Sequence, residues 1–202
     1  MLTVNRNREF VIYSNDEAKA KEVGLTLSES ARGPKGEKVW FTTTPYAALS
    51  YINEADDKAR SILQPLEKDY QQSWATEWHG DPFPCPKEDA RGRPQAFMPY
   101  QNAGIHFGVT HKNTLLADEM GLGKSSQAIG IANVMGYDRV LVICPANLRA
   151  NWRKEIQRWS TIPNVRSYPI FKAKDGVSPS ANYVIISYEL CRNEQLHQAL
   201  CE

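Results

Sequence analysis

The chain has 202 residues, 24 Lys+Arg against 23 Asp+Glu and a formal net charge of +1, so bulk charge argues neither for nor against a polyanionic partner. Hydrophobic residues make up 42%, charged 23% and aromatic 10%, which excludes a wholly disordered, collagenous or coiled-coil chain. The length suits one ordinary domain, or a small module plus part of a larger one.

Cys85, Cys144, Cys191 and Cys201 form no CxxC pair, and His79, His106, His111 and His197 have no carboxylate or Cys partner at ligand spacing. That argues against a zinc site or a disulfide framework and for a reducing compartment. No apolar run approaches the roughly 18 residues of a membrane span, and MLTVNRNREF lacks the apolar centre of a signal peptide. An intracellular protein with no membrane partner is expected, cytoplasmic or nuclear, or phage-encoded and acting in a host cytoplasm.

In chain order, EFVIYS (9–14) alternates apolar and polar residues as a half-buried strand does, and DEAKAKEVG reads as a short helix stopped by Gly24. LTLS predicts a strand, SARGPKGE a turn and KVWFTT another strand. Thr44 as N-cap and Pro45 at the first helical position open a helix through AALSYINEA, because proline forfeits only an amide hydrogen that is orphaned there anyway. Residues 1–55 thus read as a small βαββα module. Residues 56–96 read as a linker, first helical (ARSILQPLEKDYQQSWATEW), then irregular where Pro82, Pro84, Pro86 and Pro94 prevent regular structure. Trp40, Trp74 and Trp78 could stack on bases, yet tryptophan at strand or helix spacing is more often core.

From residue 97 to 202 short apolar strands alternate with amphipathic helices: NTLLA, a helix to Met135, RVLVIC, LRANWRKEIQRW, RSYPIF and YVIIS. Such alternation indicates a parallel α/β sheet. Within it, LLADEMGLGKSS (115–126) runs from a strand into a Gly-bearing loop and then a helix ended by Gly136, the context of a phosphate-binding loop. Gly121 and Gly123 let amide hydrogens converge on phosphates, and the helix adds the positive end of its dipole. Lys124 would reach the β and γ phosphates, the catalytic role, and the Ser125 hydroxyl would ligate Mg²⁺. Asp118 stands where the general GxxxxGK[ST] pattern has its first glycine.

With Asp at that position, ADEMGLGKS resembles motif I of the Swi/Snf family of superfamily 2 helicase-like, DNA-dependent ATPases. PYQNAGIHF (99–107) resembles the family's upstream Gln-containing motif, VLVICPANLRANWRKEIQRW (140–159) its motif Ia, and YVIISYEL (183–190) its motif Ib. The resemblance covers residues 97–202. The N-terminal module, through EAKAKEVG and VWFTTTPYAAL, is similar to modules preceding the motor in annealing-helicase-like and phage members.

The resemblance implies an incomplete RecA-like lobe, ATP and Mg²⁺ as ligands, and double-stranded or forked DNA as partner. The nucleotide-binding residues it implies are Gln101, Asp118, Glu119, Met120, Gly121, Leu122, Gly123, Lys124, Ser125 and Ser126. Gln101 would meet the adenine edge, where one amide donor and one acceptor match N6 and N7. Without the motifs around it, Gln101 reads as a solvated residue at a helix start.

Leu148, Trp152, Ile156 and Trp159 recur at helical intervals as an apolar stripe facing the sheet. Arg149, Arg153, Lys154 and Arg158 occupy other faces, where they are solvated or meet DNA phosphates. By resemblance Pro145, Asn147 and Asn151 lie in the region that tracks one DNA strand, with Arg149 beside them at the helix start.

Hydrolysis also needs a Mg²⁺-coordinating Asp and a water-orienting acid. Superfamily 2 supplies them from a D-E-x-H motif, whereas YVIISYE has Ser187 where that Asp would stand and Glu189 without a neighbouring acid. The expectation is a catalytically incomplete N-terminal portion of a DNA translocase or annealing helicase, completed by a C-terminal motor lobe or a partner supplying it. A small P-loop kinase carries its loop near the N-terminus, so placement at residue 118 argues against one. The alternative is a non-catalytic truncated protein that binds DNA or a motor partner.

Overall fold

Apolar residues at every second position decide which way the first sheet faces. In the computed structural model, which describes residues 1–201, β1 (Leu2–Val4), β2 (Phe10–Tyr13), β3 (Thr26–Arg32) and β4 (Lys38–Thr42) pair antiparallel in the order β1-β2-β4-β3. Leu2, Val4, Phe10, Ile12 and Trp40 share one core with Ala20 of α1 (Glu17–Glu22), Ala48 of α2 (Pro45–Leu49) and Ala59 and Leu63 of α3 (Asp57–Ser73). Asp16 caps α1 by accepting from the Lys19 amide at 3.0 Å, and Gly24, at φ 75°, turns the chain toward β3.

Three features depart from the sequence reading. β1 has no counterpart in it, since three residues are too few to display a period. The helix opened by Pro45 stops at Leu49, and a 3₁₀ turn at Ile52–Glu54 replaces its second half. Most consequentially, the helical stretch assigned to a linker is α3, whose Ala59 and Leu63 are fully buried in the first core and whose Asp56 cap accepts from the Ala59 amide at 2.7 Å. The first unit accordingly extends over Met1–Trp74.

A second unit begins at Ala75. Its leading Pro-rich segment is held without regular structure: the Phe83 amide donates to Asn102 Oδ1 at 3.1 Å, and Asn133 Nδ2 donates to the Pro84 carbonyl at 3.3 Å. There follow α4 (Pro99–Thr110), α5 (Lys124–Met135), β5 (Val140–Cys144), α6 (Arg149–Trp159), β6 (Ser167–Pro169), β7 (Tyr183–Ser187), α7 (Tyr188–Cys191) and α8 (Glu194–Cys201). The strands form a parallel sheet in the order β5-β7-β6. Central β7 is buried on both faces, as parallel strands are. Tyr183 and Ile185 pack with Ile105, Ile129, Ile156 and Trp159, while Val184 and Ile186 pack with Ile170 and Leu196. This is the mixed α/β architecture of an incomplete RecA-like lobe.

NTLLA is not a strand. Residues 114–118 carry no ladder, and Leu115 is 86% exposed. An apolar run becomes a strand only where another strand offers its amides and carbonyls, and β5, β6 and β7 pair only with one another. β5 and β6 are the two edges, and on β5 Val142 and Cys144 face the core, but Leu141 and Ile143 on the opposite face are 44% and 42% exposed. No helix among the described residues is long and apolar enough to cross a membrane.

Candidate functional site

Glycine lets two helices approach closely enough to build the site. A Cβ on Gly104 of α4 would collide with Gln127 Oε1 of α5, and one on Gly108 would collide with Ile131. At that separation Gln101, in the first turn of α4 and 7% exposed, reaches the loop preceding α5. Its Oε1 accepts from the Met98 amide at 3.0 Å, which caps α4, and its Nε2 donates to the Leu122 carbonyl at 3.2 Å and Ser126 Oγ at 3.4 Å. The amide therefore grips the loop itself.

The loop is shaped by Gly121 at φ 88° and Gly123 at φ 77°, a region that disfavours side chains. Gly123 is constrained twice, because a Cβ there would also strike Gln101 Nε2. α5 starts at Lys124 with no side-chain cap, so its first-turn amides face outward as donors for an anion. Lys124 Nζ folds over the loop and donates to the Asp118 and Glu119 carbonyls at 2.7 and 2.8 Å. Ser126 Oγ donates to the Gly123 carbonyl at 2.7 Å and is buried, while Ser125 is half-buried and Met120 is 95% exposed. The residues at 118–126 and Gln101 thus form one cluster.

Sequence reasoning missed Gln127. Fully buried, it donates from Nε2 to Asp118 Oδ2 at 2.6 Å and ties the start of the loop to the helix after it. Its Oε1 is a buried acceptor with no partner among the described residues. A glutamine three residues after the loop lysine was the available signal, but amphipathic helices are full of glutamines.

Pro145, Asn147, Arg149 and Asn151 gather separately, where β5 passes through a 3₁₀ turn at Ala146–Leu148 into α6. Pro145, Asn147 and Asn151 are exposed. Arg149 is occupied: Nε donates to the Ala146 carbonyl at 3.0 Å, Nη1 to the Ile170 carbonyl at 2.6 Å, and the guanidinium lies 4.8 Å from the centre of the Phe171 ring. It fastens the turn to the end of β6.

Ser187 closes β7 by accepting from the Leu190 amide at 3.4 Å, a helix cap for α7. Glu189's own backbone amide and the Ser187 hydroxyl hold its carboxyl below the usual range. Two histidines lie against rings, His106 4.4 Å from Trp78 and His111 4.0 Å from Phe107, whereas, against the sequence reading, exposed His79 has Glu77 at 3.7 Å and His197 has Cys201 Sγ at 3.9 Å. The described residues contain no group of three or more His, Cys, Asp and Glu able to hold a metal ion. Of the tryptophans, Trp40 is core, but Trp74 is 71% exposed against Tyr70.

A family model described as SNF2-related domain matches residues 11–199. The chain belongs to the SNF2-related family. It is 37% identical over 100 residues to the SWI/SNF-related matrix-associated actin-dependent regulator of chromatin subfamily A-like protein 1 homolog of Caenorhabditis elegans, covering 47% of this chain and 14% of that protein. Identity to chromatin remodeling factor mit1 of Schizosaccharomyces pombe is 33% over 132 residues, 55% of this chain and 9% of the relative. To the Bos taurus DNA annealing helicase and endonuclease ZRANB3 it is 42% over 64 residues, 31% of this chain and 6% of the relative. The chain thus spans at most 14% of these relatives' lengths.

Proposed function

We propose that this SNF2-related chain binds ATP with Mg²⁺ on the loop at 118–125 and meets double-stranded or forked DNA beside Pro145, Asn147 and Asn151, as part of a DNA-dependent motor of Swi/Snf type. The observation that carries the reading is the uncapped N-terminus of α5 beneath a two-glycine loop, with the Lys124 ammonium folded over that loop's own carbonyls. An ammonium resting on neutral carbonyls has much to gain from a polyphosphate, which offers full negative charge at the same place. The donor set fits the ligand: backbone amides for phosphate oxygens, Lys124 for the β and γ phosphates, and the Ser125 hydroxyl for the metal, which would draw negative charge off the phosphates.

Gln101 then has two alternative partners, the loop and the adenine edge. Binding of the base would exchange the contact to Leu122 for one to the purine and so couple base recognition to loop shape. Hydrolysis is assigned to the assembled motor, because residues 1–202 contain no D-E-x-H sequence. Names among the relatives that mention chromatin remodeling and DNA annealing support DNA as the partner class. The second reading, a non-catalytic interaction protein, draws support from exposed Leu141 and Ile143 on edge strand β5.

Calorimetric titration of Mg·ATP into the chain and into Lys124→Ala tests the phosphate assignment. Binding weakened at least about tenfold, with far-ultraviolet circular dichroism unchanged, is the expected result, since charge-assisted contacts are among the strongest hydrogen bonds. Equal affinities for the two proteins would remove the assignment.

A further inference from the structure

Along α6 the residues Asn151, Lys154 and Arg158 fall on one side of the helix, opposite the buried Ile156 and with the Arg158 guanidinium 5.1 Å from the centre of the Trp159 ring, and Asn147 continues their line into the preceding turn. From Asn151 to Arg158 the stripe is about 10 Å long, an axial length over which one DNA strand carries about three phosphates. It does not end at the helix terminus. The irregular segment before α4 folds back against it, forming an open cleft of about 590 Å³ lined by Glu88, Asp89, Arg91, Arg93, Lys154 and Arg158 among others.

Two contacts fix the cleft walls. Gln95 Nε2 donates to the Arg158 carbonyl at 2.8 Å, and Arg158 Nε donates back to Gln95 Oε1 at 3.1 Å, so the segment and the helix clasp each other. Asp89 folds the turn on itself by accepting from the Arg91 amide at 2.8 Å, the Arg93 amide at 3.1 Å, and Arg93 Nε and Nη2 at 2.8 and 2.6 Å. That pairing neutralises Arg93 against Asp89 and holds the Asp89 carboxyl far below the usual range. Arg91, Lys154 and Arg158 remain against Glu88 alone, and no side-chain hydrogen bond or ion pair to an acid engages these three cations among the described residues.

We infer that this cleft is a second contact for the sugar-phosphate backbone of duplex DNA, with Arg91, Lys154 and Arg158 extending the track that starts at Asn147 and Asn151. The inference rests on the DNA reading above. Three cations facing one acid in an open, polar cleft continuous with a helix stripe suit a polyanion running past rather than an enclosed small molecule. Lys154 and Arg158 on α6 and Arg91 across the cleft are long cations of the kind that meet phosphate oxygens, which carry no base information, so they call for contacts without sequence preference.

The test is the affinity of the whole chain for a short duplex of random sequence across a sodium chloride series, for wild type, Arg91→Ala/Lys154→Ala, Arg91→Lys/Lys154→Arg and Asn147→Ala/Asn151→Ala. Both cations are exposed and leave the Gln95–Arg158 clasp untouched, so the alanine pair keeps the fold. Losing two phosphate contacts should flatten the slope of log affinity against log salt by about 1.8, and the charge-preserving pair should restore it. If the asparagine pair weakens binding while the alanine pair leaves affinity and slope unchanged, the cleft is no contact and the DNA reading survives without it. If wild type itself fails to bind duplex, both fall together. Competition by a poly-glutamate peptide as effective as duplex DNA, lost with the alanine pair, would assign the cleft to an acidic protein segment and overturn the proposal.

Discussion

At the scale of single residues, the loop is governed by amides rather than by charges. Gln101 holds Leu122 and Ser126 from α4, and Gln127 holds Asp118 from α5, so two neutral side chains set the shape on which Lys124 acts. Replacing Gln127 by leucine separates shape from stability. The substitution releases Asp118 to water but also removes Oε1, a buried acceptor without a partner, so the fold should keep its stability within about 1 kcal/mol. ATP affinity should nevertheless fall, because the loop loses its tie to the helix. Urea midpoints together with ATP titration check this, and a large stability loss with unchanged affinity would make Gln127 a core residue only. Arg149 carries a related lesson. Spacing alone put its charge at a helix start facing DNA, yet carbonyls contributed by Ala146 and Ile170, the latter 21 positions away, engage its guanidinium.

Among elements, α3 decides where the first unit ends. Its Leu63 is wholly buried among the apolar residues of β1 and β2 and the helices, so Leu63→Ala should cost about 2–5 kcal/mol in that unit. Amide exchange of β2 and β4 should speed accordingly, and exchange equal to wild type would return α3 to the role of a connector. Its burial was hard to foresee because only Ala59 and Leu63 are fully buried along 17 residues that also carry an internal proline. The elements carrying motif chemistry were more legible: α5 between its glycines, β5, β7, and α6 with Trp152, Ile156 and Trp159 of its expected apolar stripe in the core, although Leu148, the first member of that stripe, is 41% exposed in the turn before the helix. Each is announced by local features, a cap, a period or a run of β-branched residues. NTLLA has the same local features and fails as a strand, since pairing is a property of two segments and composition reports only one. The clasp between Gln95 and Arg158, 63 residues apart, lies equally beyond any local pattern.

For the molecule as a whole, the exposed face of β5 in the second sheet sets the behaviour to expect. Strands of a parallel sheet are ordinarily covered on both faces, but β5 leaves Leu141 and Ile143 more than two-fifths exposed and has one neighbour only. Beside it, Arg139, Val177, Leu200 and Cys201 help line a shallow cleft of about 300 Å³ that offers further apolar surface. An exposed edge carrying apolar side chains recruits another chain. Light scattering should therefore report concentration-dependent association, and Leu141→Lys/Ile143→Lys should reduce it while leaving ATP affinity unchanged, because neither residue belongs to the loop. On the same sample, phosphate release should not rise with DNA: the loop can cradle phosphates, yet the sequence offers no D-E-x-H pair to orient water. Arginine fingers alone contribute about 10³–10⁵ in rate in related phosphoryl transfers, so turnover by residues 1–202 on their own should be too slow to detect. DNA-dependent phosphate release that Lys124→Ala abolishes would show instead that the groups needed for hydrolysis lie within these 202 residues. If association were lost together with that turnover in the lysine pair, the opposing groups would come from a second copy of the chain docked on β5.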